Sequence, residues 1–172
     1  MNEKYNASWW VSQGKILSEL EDRVYFISSS VLINFWEKHE IYKIFLKIID
    51  YLGALRNELD ITIIDYFPNQ SDYLGNIRNL FMFGGPKNME SYKKSIYNIK
   101  DTKIGKNYLT TQEINFIVKF LKDLENYISL TKNCEVIFGM PRQRFEKTNH
   151  ILEELHKNIS KFYLHENSLK FQ

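Results

Sequence analysis

One stretch, from Glu40 to Pro68, constrains the fold more than any other part of the chain. Its apolar residues recur at steps of three and four, which is the period of one face of an α-helix. They are Ile41, Ile44, Phe45, Ile48, Leu52, Leu55 and Leu59, with Tyr42, Leu46, Ile49 and Gly53 as a second stripe beside them. A helix with so wide an apolar face has neighbours on more than one side. We therefore expect a central helix with other helices packed around it.

The end of this central helix is ambiguous, because two signals overlap. Ile61-Thr62-Ile63-Ile64 has the composition of a strand, yet the helical step continues to Tyr66. Pro68 sets the limit, because a proline cannot continue a helix. We expect helix to roughly Asp65, and a strand over 61–67 is the alternative.

A long helix is also predicted before the central one. Ser8 is a suitable N-cap, and Trp9 then starts a helix whose apolar steps continue to about Lys38. A break near Glu21-Asp22 is the alternative, since the following residues are rich in β-branched and aromatic side chains. We expect at least one of Trp9 and Trp10 to be a core anchor.

The chain after Pro68 predicts two short helices and then two long ones. The first short helix follows Asp72, the second starts near Met89 and reaches Ile99, and residues 100–108 are expected to be the most mobile. Thr110-Thr111-Gln112-Glu113 is a capping-box pattern that begins the next helix. The stripes are Tyr73, Ile77, Leu80 and Phe81; Met89, Tyr92, Ile96 and Ile99; and Ile114, Ile117, Leu121, Leu124 and Ile128.

The last predicted helix begins after Pro141, a residue suited to the first helical position. Its stripe of alternating three and four steps should pack antiparallel on a neighbour. The stripe consists of Phe145, Thr148, Leu152, Leu155, Ile159 and Phe162. The short apolar link over 134–140 is either helical or extended, and the tail over 164–172 is expected to fray.

Composition agrees with a single helical domain. A chain of 172 residues with a hydrophobic share of 44% can bury a core of its own. Only seven Gly and three Pro interrupt it, which favours long regular elements. We therefore predict an all-α single domain over residues 1–172, a bundle of five to seven helices with at most a short extended segment near 134–140.

Charge, cysteine content and termini limit the function classes. A net charge of +2 is too small to argue for nucleic acid or a membrane. Cys134 is the single cysteine, which excludes an internal disulfide and favours a small buried side chain in a reduced compartment. No targeting segment or apolar run of membrane length is visible, so we expect a cytoplasmic protein. The abundance of Lys, Ile, Asn and Tyr is typical of AT-rich genomes and suggests a bacterial or phage source.

Signatures of common chemistry are missing from the sequence. It contains no HExxH, paired CxxC, GxSxG or glycine-rich dinucleotide loop. His150 and His156 are six positions apart on one predicted helix, so they do not share a face for a metal. Asp50, Asp60 and Asp65 do not fall on one line of the central helix, so solvated or capping roles are expected for them. We expect neither a cofactor nor a metal.

One stretch at the start of the last predicted helix does carry chemistry. It reads Pro141-Arg142-Gln143-Arg144-Phe145-Glu146-Lys147-Thr148-Asn149-His150. An arginine can hold a phosphate, and a nearby histidine can move a proton at neutral pH. Arg144 and His150 are therefore a candidate catalytic pair for metal-independent RNA cleavage, with the ribose 2′-hydroxyl as the nucleophile.

The spacing of this pair resembles the motif of HEPN domains, helical bundles with an Arg and a His a short distance apart on a late helix. The resemblance implies an RNase that acts as a toxin or a defence effector. The family often has Asn directly after the Arg, where this sequence has Phe145. Arg56-Asn57 supplies such a pair earlier in the chain, but Asp60 follows where a His would be needed.

The hypothesis that we favour is a protein-binding module without catalysis, of the bacterial or phage immunity, antitoxin or anti-defence kind. Tyr, Trp and Arg are the usual anchors of protein interfaces. The candidate binding residues are Arg142, Arg144, Lys147, Trp10 and Tyr92. We expect another protein as the partner, with RNA and a homodimer as open alternatives, and no membrane. Whether the protein is an enzyme is left open by the sequence.

Overall fold

The computed structural model describes residues 5–33, 39–67, 89–96 and 109–165, and helices take up 91% of these residues. The same residues form six α-helices and no strand, which confirms the predicted all-α bundle of five to seven helices. The helices are α1 (Ala7–Phe26), α2 (Glu40–Tyr66), α3 (Met89–Ile96), α4 (Thr111–Lys132), α5 (Glu135–Phe138) and α6 (Arg142–His165).

Helix α2 is the central element that its periodicity predicts. Among the described elements it packs most extensively against α6 and next against α1. Leu52 and Leu55 are fully buried on it. The helix runs through the ambiguous stretch to Tyr66, and the Phe67 N–H still donates to the Ile63 carbonyl at 3.1 Å. The predicted helix is therefore confirmed for residues 61–66, and the alternative strand is wrong. Burial on one helix face outweighs the local strand propensity.

Helix α1 differs from the prediction at its start. Its N-cap is Asn6, whose side chain accepts from the Trp9 N–H at 3.1 Å, so Ser8 lies inside the helix. The helix does not break at Glu21-Asp22 but continues into a π-helical turn over Ile27–Val31. The π-helical turn ends at Val31, and the predicted end near Lys38 lies outside the described residues.

Serine hydroxyls accompany this π-helical turn. The hydroxyls of Ser28 and Ser29 both donate to the Tyr25 carbonyl, at 3.1 and 2.7 Å. A carbonyl that accepts from side chains competes with the regular ladder of backbone hydrogen bonds. At the end of the turn the Leu32 N–H donates to the Ile27 carbonyl at 2.8 Å, five positions earlier.

The two later long helices agree closely with the sequence. Thr110 and Glu113 form the predicted capping box at the start of α4. Between α4 and α6 the link is the short helix α5, which decides against an extended segment at 134–140. Cys134 is buried just before α5, as a small apolar side chain would be. The predicted stripe of α6 packs against α2, with Leu152, Leu155, Ile159 and Phe162 fully buried.

Aromatic rings join the helices in the core. Phe45 of α2 contacts Phe120 of α4 and Phe162 of α6, with ring centroids 6.1 and 5.8 Å apart. Trp10 of α1 is completely buried and lies 6.0 Å from the ring of Tyr66, which confirms that one tryptophan of the Trp9-Trp10 pair is a core anchor. No helix in the described ranges combines the length and the apolar character that crossing a membrane requires.

Four further predictions fall wholly or partly outside the described residues. Three of them are the short helix that carries Tyr73, Ile77, Leu80 and Phe81, the mobile segment over 100–108, and the frayed tail beyond His165. The predicted extension of α3 from Ile96 to Ile99 also lies there.

Candidate functional site

Three residues spaced seven positions apart on α2 make polar contacts with α6. Positions 51, 58 and 65 share one face of α2, because seven residues are close to two helical turns. Each of the three side chains contacts α6, and the contacts follow in antiparallel order. They are the Tyr51 hydroxyl donating to Glu154 at 3.4 Å, the ion pair of Glu58 with Lys147, and the ion pair of Asp65 with Arg144. We call this set the α2–α6 ladder.

The ladder occupies two of the candidate binding residues. Glu58 is almost fully buried, its side chain 6% exposed, and Lys147 supplies its counter-charge from the surface. Arg144 is partly buried and held by Asp65. A buried carboxylate needs such a partner, since an unpaired buried charge is costly. Both cations therefore hold the two helices in register.

The candidate catalytic residues Arg144 and His150 lie on different sides of α6. Six positions on a helix separate two side chains by about 120° around the axis. Arg144 faces α2, whereas His150 is exposed. One turn after His150, hydrogen bonding from Lys157 at 2.8 Å lowers the pKa of the Glu154 carboxyl. Within one chain, Arg144 and His150 therefore leave α6 in different directions, and Arg144 is engaged by Asp65.

An aromatic pair lies beside the start of α6. The rings of Phe138 on α5 and Phe145 on α6 are 5.9 Å apart, and Phe138 is 68% exposed. Arg142 is also exposed and pairs with Glu146 one turn along the same helix at 2.8 Å. We call this area the α5–α6 surface.

The two aromatic candidates for binding are placed differently from each other. Trp10 has no exposed surface, which corrects the surface position expected for it; its ring is an anchor of the core. Tyr92 of α3 is half-buried between Phe26 and Phe116, with ring centroids 5.7 and 5.6 Å away. Burial first, and then the nearby Glu19 carboxylate, raises the pKa of the Tyr92 hydroxyl above its usual range.

Tyr92 also lines a cleft that sequence analysis missed. The cleft has a volume of about 570 Å³ and lies between α1, α3 and α4. At its base is Arg23, whose side chain is only 6% exposed and donates to Asp123 at 2.6 Å. The guanidinium lies over the rings of Phe116 and Phe120, 5.8 and 5.5 Å from their centroids. The full lining is Glu19, Arg23, Ser91, Tyr92, Gln112, Asn115, Phe116, Lys119 and Asp123.

Further polar residues of α2 face the interior instead of a site. Arg56 donates from Nε to both carboxylate oxygens of Glu21 at 2.9 Å and from Nη2 to the Ser18 hydroxyl at 2.8 Å. Arg56 therefore supplies an α1–α2 contact. Asp60 is buried, which corrects the solvated role expected for it. Helical periodicity does not reveal these positions, because their burial depends on which helix packs opposite.

Metal binding finds no support in the part of the chain that the structure describes. No three His, Cys, Asp or Glu side chains there are grouped so that they could hold a metal ion. No protein-family model matches the sequence, and no curated protein or solved structure matches it significantly.

Proposed function

We propose that this protein is a protein-binding module of the immunity, antitoxin or anti-defence kind, acting by macromolecular contact without catalysis. The observation that carries the proposal is the α5–α6 surface, where the ring of the exposed Phe138 contacts the ring of Phe145 close to the exposed Arg142. Aromatic and arginine side chains are the usual anchors of protein interfaces. The Arg142–Glu146 pair is exposed and of little energetic value, so a carboxylate on a partner can replace Glu146 at small cost.

The charges of this surface favour a protein partner over a nucleic acid. Binding to a phosphate backbone is driven by cations that neutralise phosphates. Here Arg142, Arg144 and Lys147 each already pair with a carboxylate of the same chain. The Arg142–Glu146 pair is exposed and easily exchanged, but Arg144 and Lys147 are committed to Asp65 and to the buried Glu58 of α2, which a phosphate would have to displace.

The RNase alternative requires Arg144 and His150 to act on one phosphate. Their separation around α6 and the Arg144–Asp65 ion pair oppose this arrangement within one chain. A shared site would need Arg144 to leave Asp65 and a second group to face His150. We therefore rank protein binding first.

Affinity purification from the native host tests the proposal. The tagged full chain is compared with Phe138→Glu and with the matched control Leu164→Glu, which places the same charge at another exposed apolar position. We expect one abundant protein, identified by mass spectrometry, to bind the wild type and Leu164→Glu and to be lost from Phe138→Glu. Co-purified RNA in place of a protein would contradict the proposal, as would a partner that Phe138→Glu retains.

A further inference from the structure

The cleft between α1, α3 and α4 adjoins a second depression. We call the two together the α1–α4 groove. The second depression has a volume of about 210 Å³ and shares Glu19, Arg23 and Asp123 with the first. Its far end is lined by Ile16 and by Leu130, which is 61% exposed. From Phe116 to Leu130 the groove covers fourteen positions of α4, about 21 Å at the rise of an α-helix.

An apolar pair lies toward each end of this groove. Tyr92 and Phe116 form one pair, one turn inside the polar Gln112, and Ile16 and Leu130 form the other. Exposed apolar groups in a concave polar setting are typical of binding sites. The two ends can therefore each hold an apolar side chain of a ligand.

The middle of the groove holds donors that the protein does not use. Among the described residues Asp123 is the only hydrogen-bond acceptor for Arg23, through Nη1, which leaves Nε and Nη2 without an acceptor there. Lys119 forms no ion pair or hydrogen bond with any described residue. These N–H groups and the Lys119 ammonium can therefore donate to a ligand that brings acceptors.

The charge balance argues against a small free anion. Glu19 and Asp123 offset Arg23 and Lys119, so the groove has no net charge. A peptide suits it better, because its carbonyl groups are neutral acceptors and one acidic side chain can meet Lys119. The amides of Gln112, Asn115 and Asn126 line the same groove and can pair with backbone N–H and C=O groups.

We propose that the groove between α1 and α4 binds an extended peptide segment of a partner protein. An extended segment has unpaired backbone groups for Arg23 and the amides, whereas a helix has already paired its own. About six residues at roughly 3.4 Å each span the distance between the two apolar ends. The segment carries an apolar residue at each end and an acidic residue beside the one that meets Phe116, where Lys119 lies one turn away.

This inference rests on the proposed function and names a second contact for it. A displayed library of random 12-residue peptides, selected against the full chain, tests it. We expect enriched peptides to show two apolar residues about six positions apart with Asp or Glu between them. Fluorescence anisotropy of a labelled synthetic peptide from the enriched set then measures the affinity.

Matched variants locate the peptide. Lys119→Glu and Leu130→Glu should each weaken binding by about tenfold or more, and selection against Lys119→Glu should exchange the acidic residue for a basic one. Lys122→Glu, on the same helix but outside the groove lining, should have no effect. Since Lys119, Lys122 and Leu130 are all exposed, these variants should fold, and their circular dichroism spectra check this.

Several results would contradict peptide binding at this groove. They are a library without enrichment, peptides whose affinity is unchanged by Lys119→Glu and Leu130→Glu, and peptides that become helical in the complex. A dimer of the chain that Leu130→Glu dissociates would identify a second copy as the occupant. Peptides that fail to bind only Phe138→Glu would place binding at the α5–α6 surface. That result would refute peptide binding at the groove and leave the proposed function in place.

Discussion

Arg144 of α6 forms an ion pair with Asp65 of α2, although the two residues are 79 positions apart in the sequence. The pair closes one end of the α2–α6 ladder, next to the turn that connects α5 to α6. An arginine held in this way has its planar donors turned toward another helix and not toward a substrate. The residue that most resembles a catalytic group in the sequence thus has a structural partner.

The first prediction is that the purified protein does not cleave RNA. A mixed RNA pool incubated with it in EDTA should stay intact, because Arg144 and His150 do not meet on one phosphate. Gel electrophoresis of the pool provides the measurement. Cleavage that disappears in both Arg144→Ala and His150→Ala, without further loss in the double variant, would establish the RNase instead. His156→Ala, at an exposed histidine on the same helix, is the control that should change nothing.

The second prediction concerns the central helix. Leu52 is completely buried on α2, so Leu52→Ala should lower the free energy of unfolding by roughly 2–5 kcal/mol, through lost burial and the cavity left behind. Denaturant unfolding monitored by circular dichroism measures the change. Leu46→Ala, on the exposed side of the same helix, is the control and should stay within about 1 kcal/mol. Equal effects of the two substitutions would show that α2 is not the centre of the core.

The parts of the fold that could be predicted are those set by residues close together in the sequence. The periodicity around Leu52 and the Thr110–Glu113 capping box are local patterns, and both reappear in the structure. The N-cap of α1 is also local, but Asn6 and Ser8 are both good caps and propensity does not separate them. Elements with a strong apolar stripe were therefore predicted correctly, while one helix start was not.

The sites were predicted less well, because they depend on tertiary partners. Arg23 has the spacing of an ordinary helix residue, and its burial follows only from the packing of Phe116 and Phe120 over it. The buried Glu58 carboxylate likewise needs the charge of Lys147 from another helix to offset the cost of its burial. The seven-residue spacing of the ladder positions on α2 was visible in the sequence, but nothing local identified the facing side chains on α6.

A third prediction uses the glycine in the middle of α2. A methyl group added at Gly53 would meet no atom within 4 Å. Gly53→Ala should therefore raise the free energy of unfolding by about 0.5–1 kcal/mol, because alanine loses less backbone entropy in a helix. The same denaturant unfolding measures it. Ala54→Gly, at the adjacent position, should lower stability by a similar amount, and a loss of stability in Gly53→Ala would mean that this face of α2 is covered.

The last prediction concerns stability in alkaline solution. Tyr127 of α4 is completely buried among the core helices, and burial raises the pKa of its hydroxyl far above the ordinary 10.0. Above about pH 10 the unfolded chain releases this proton while the folded chain keeps it, so the unfolded state binds fewer protons and the free energy of unfolding falls as pH rises. The contribution is fully present below pH 10 and is lost as the pH climbs toward the folded-state pKa.

Tyr127→Phe tests this mechanism, because phenylalanine keeps the ring and removes the titrating group. Denaturant unfolding at several pH values between 8 and 11.5 should show a smaller alkaline loss of stability in Tyr127→Phe than in the wild type. Tyr25→Phe is the matched control at an exposed position and should follow the wild-type curve. Parallel curves for wild type and Tyr127→Phe would mean that the Tyr127 hydroxyl ionises as readily in the folded chain as in the unfolded one. Water would then have to reach the hydroxyl from the α1–α4 groove, which Tyr127 also lines.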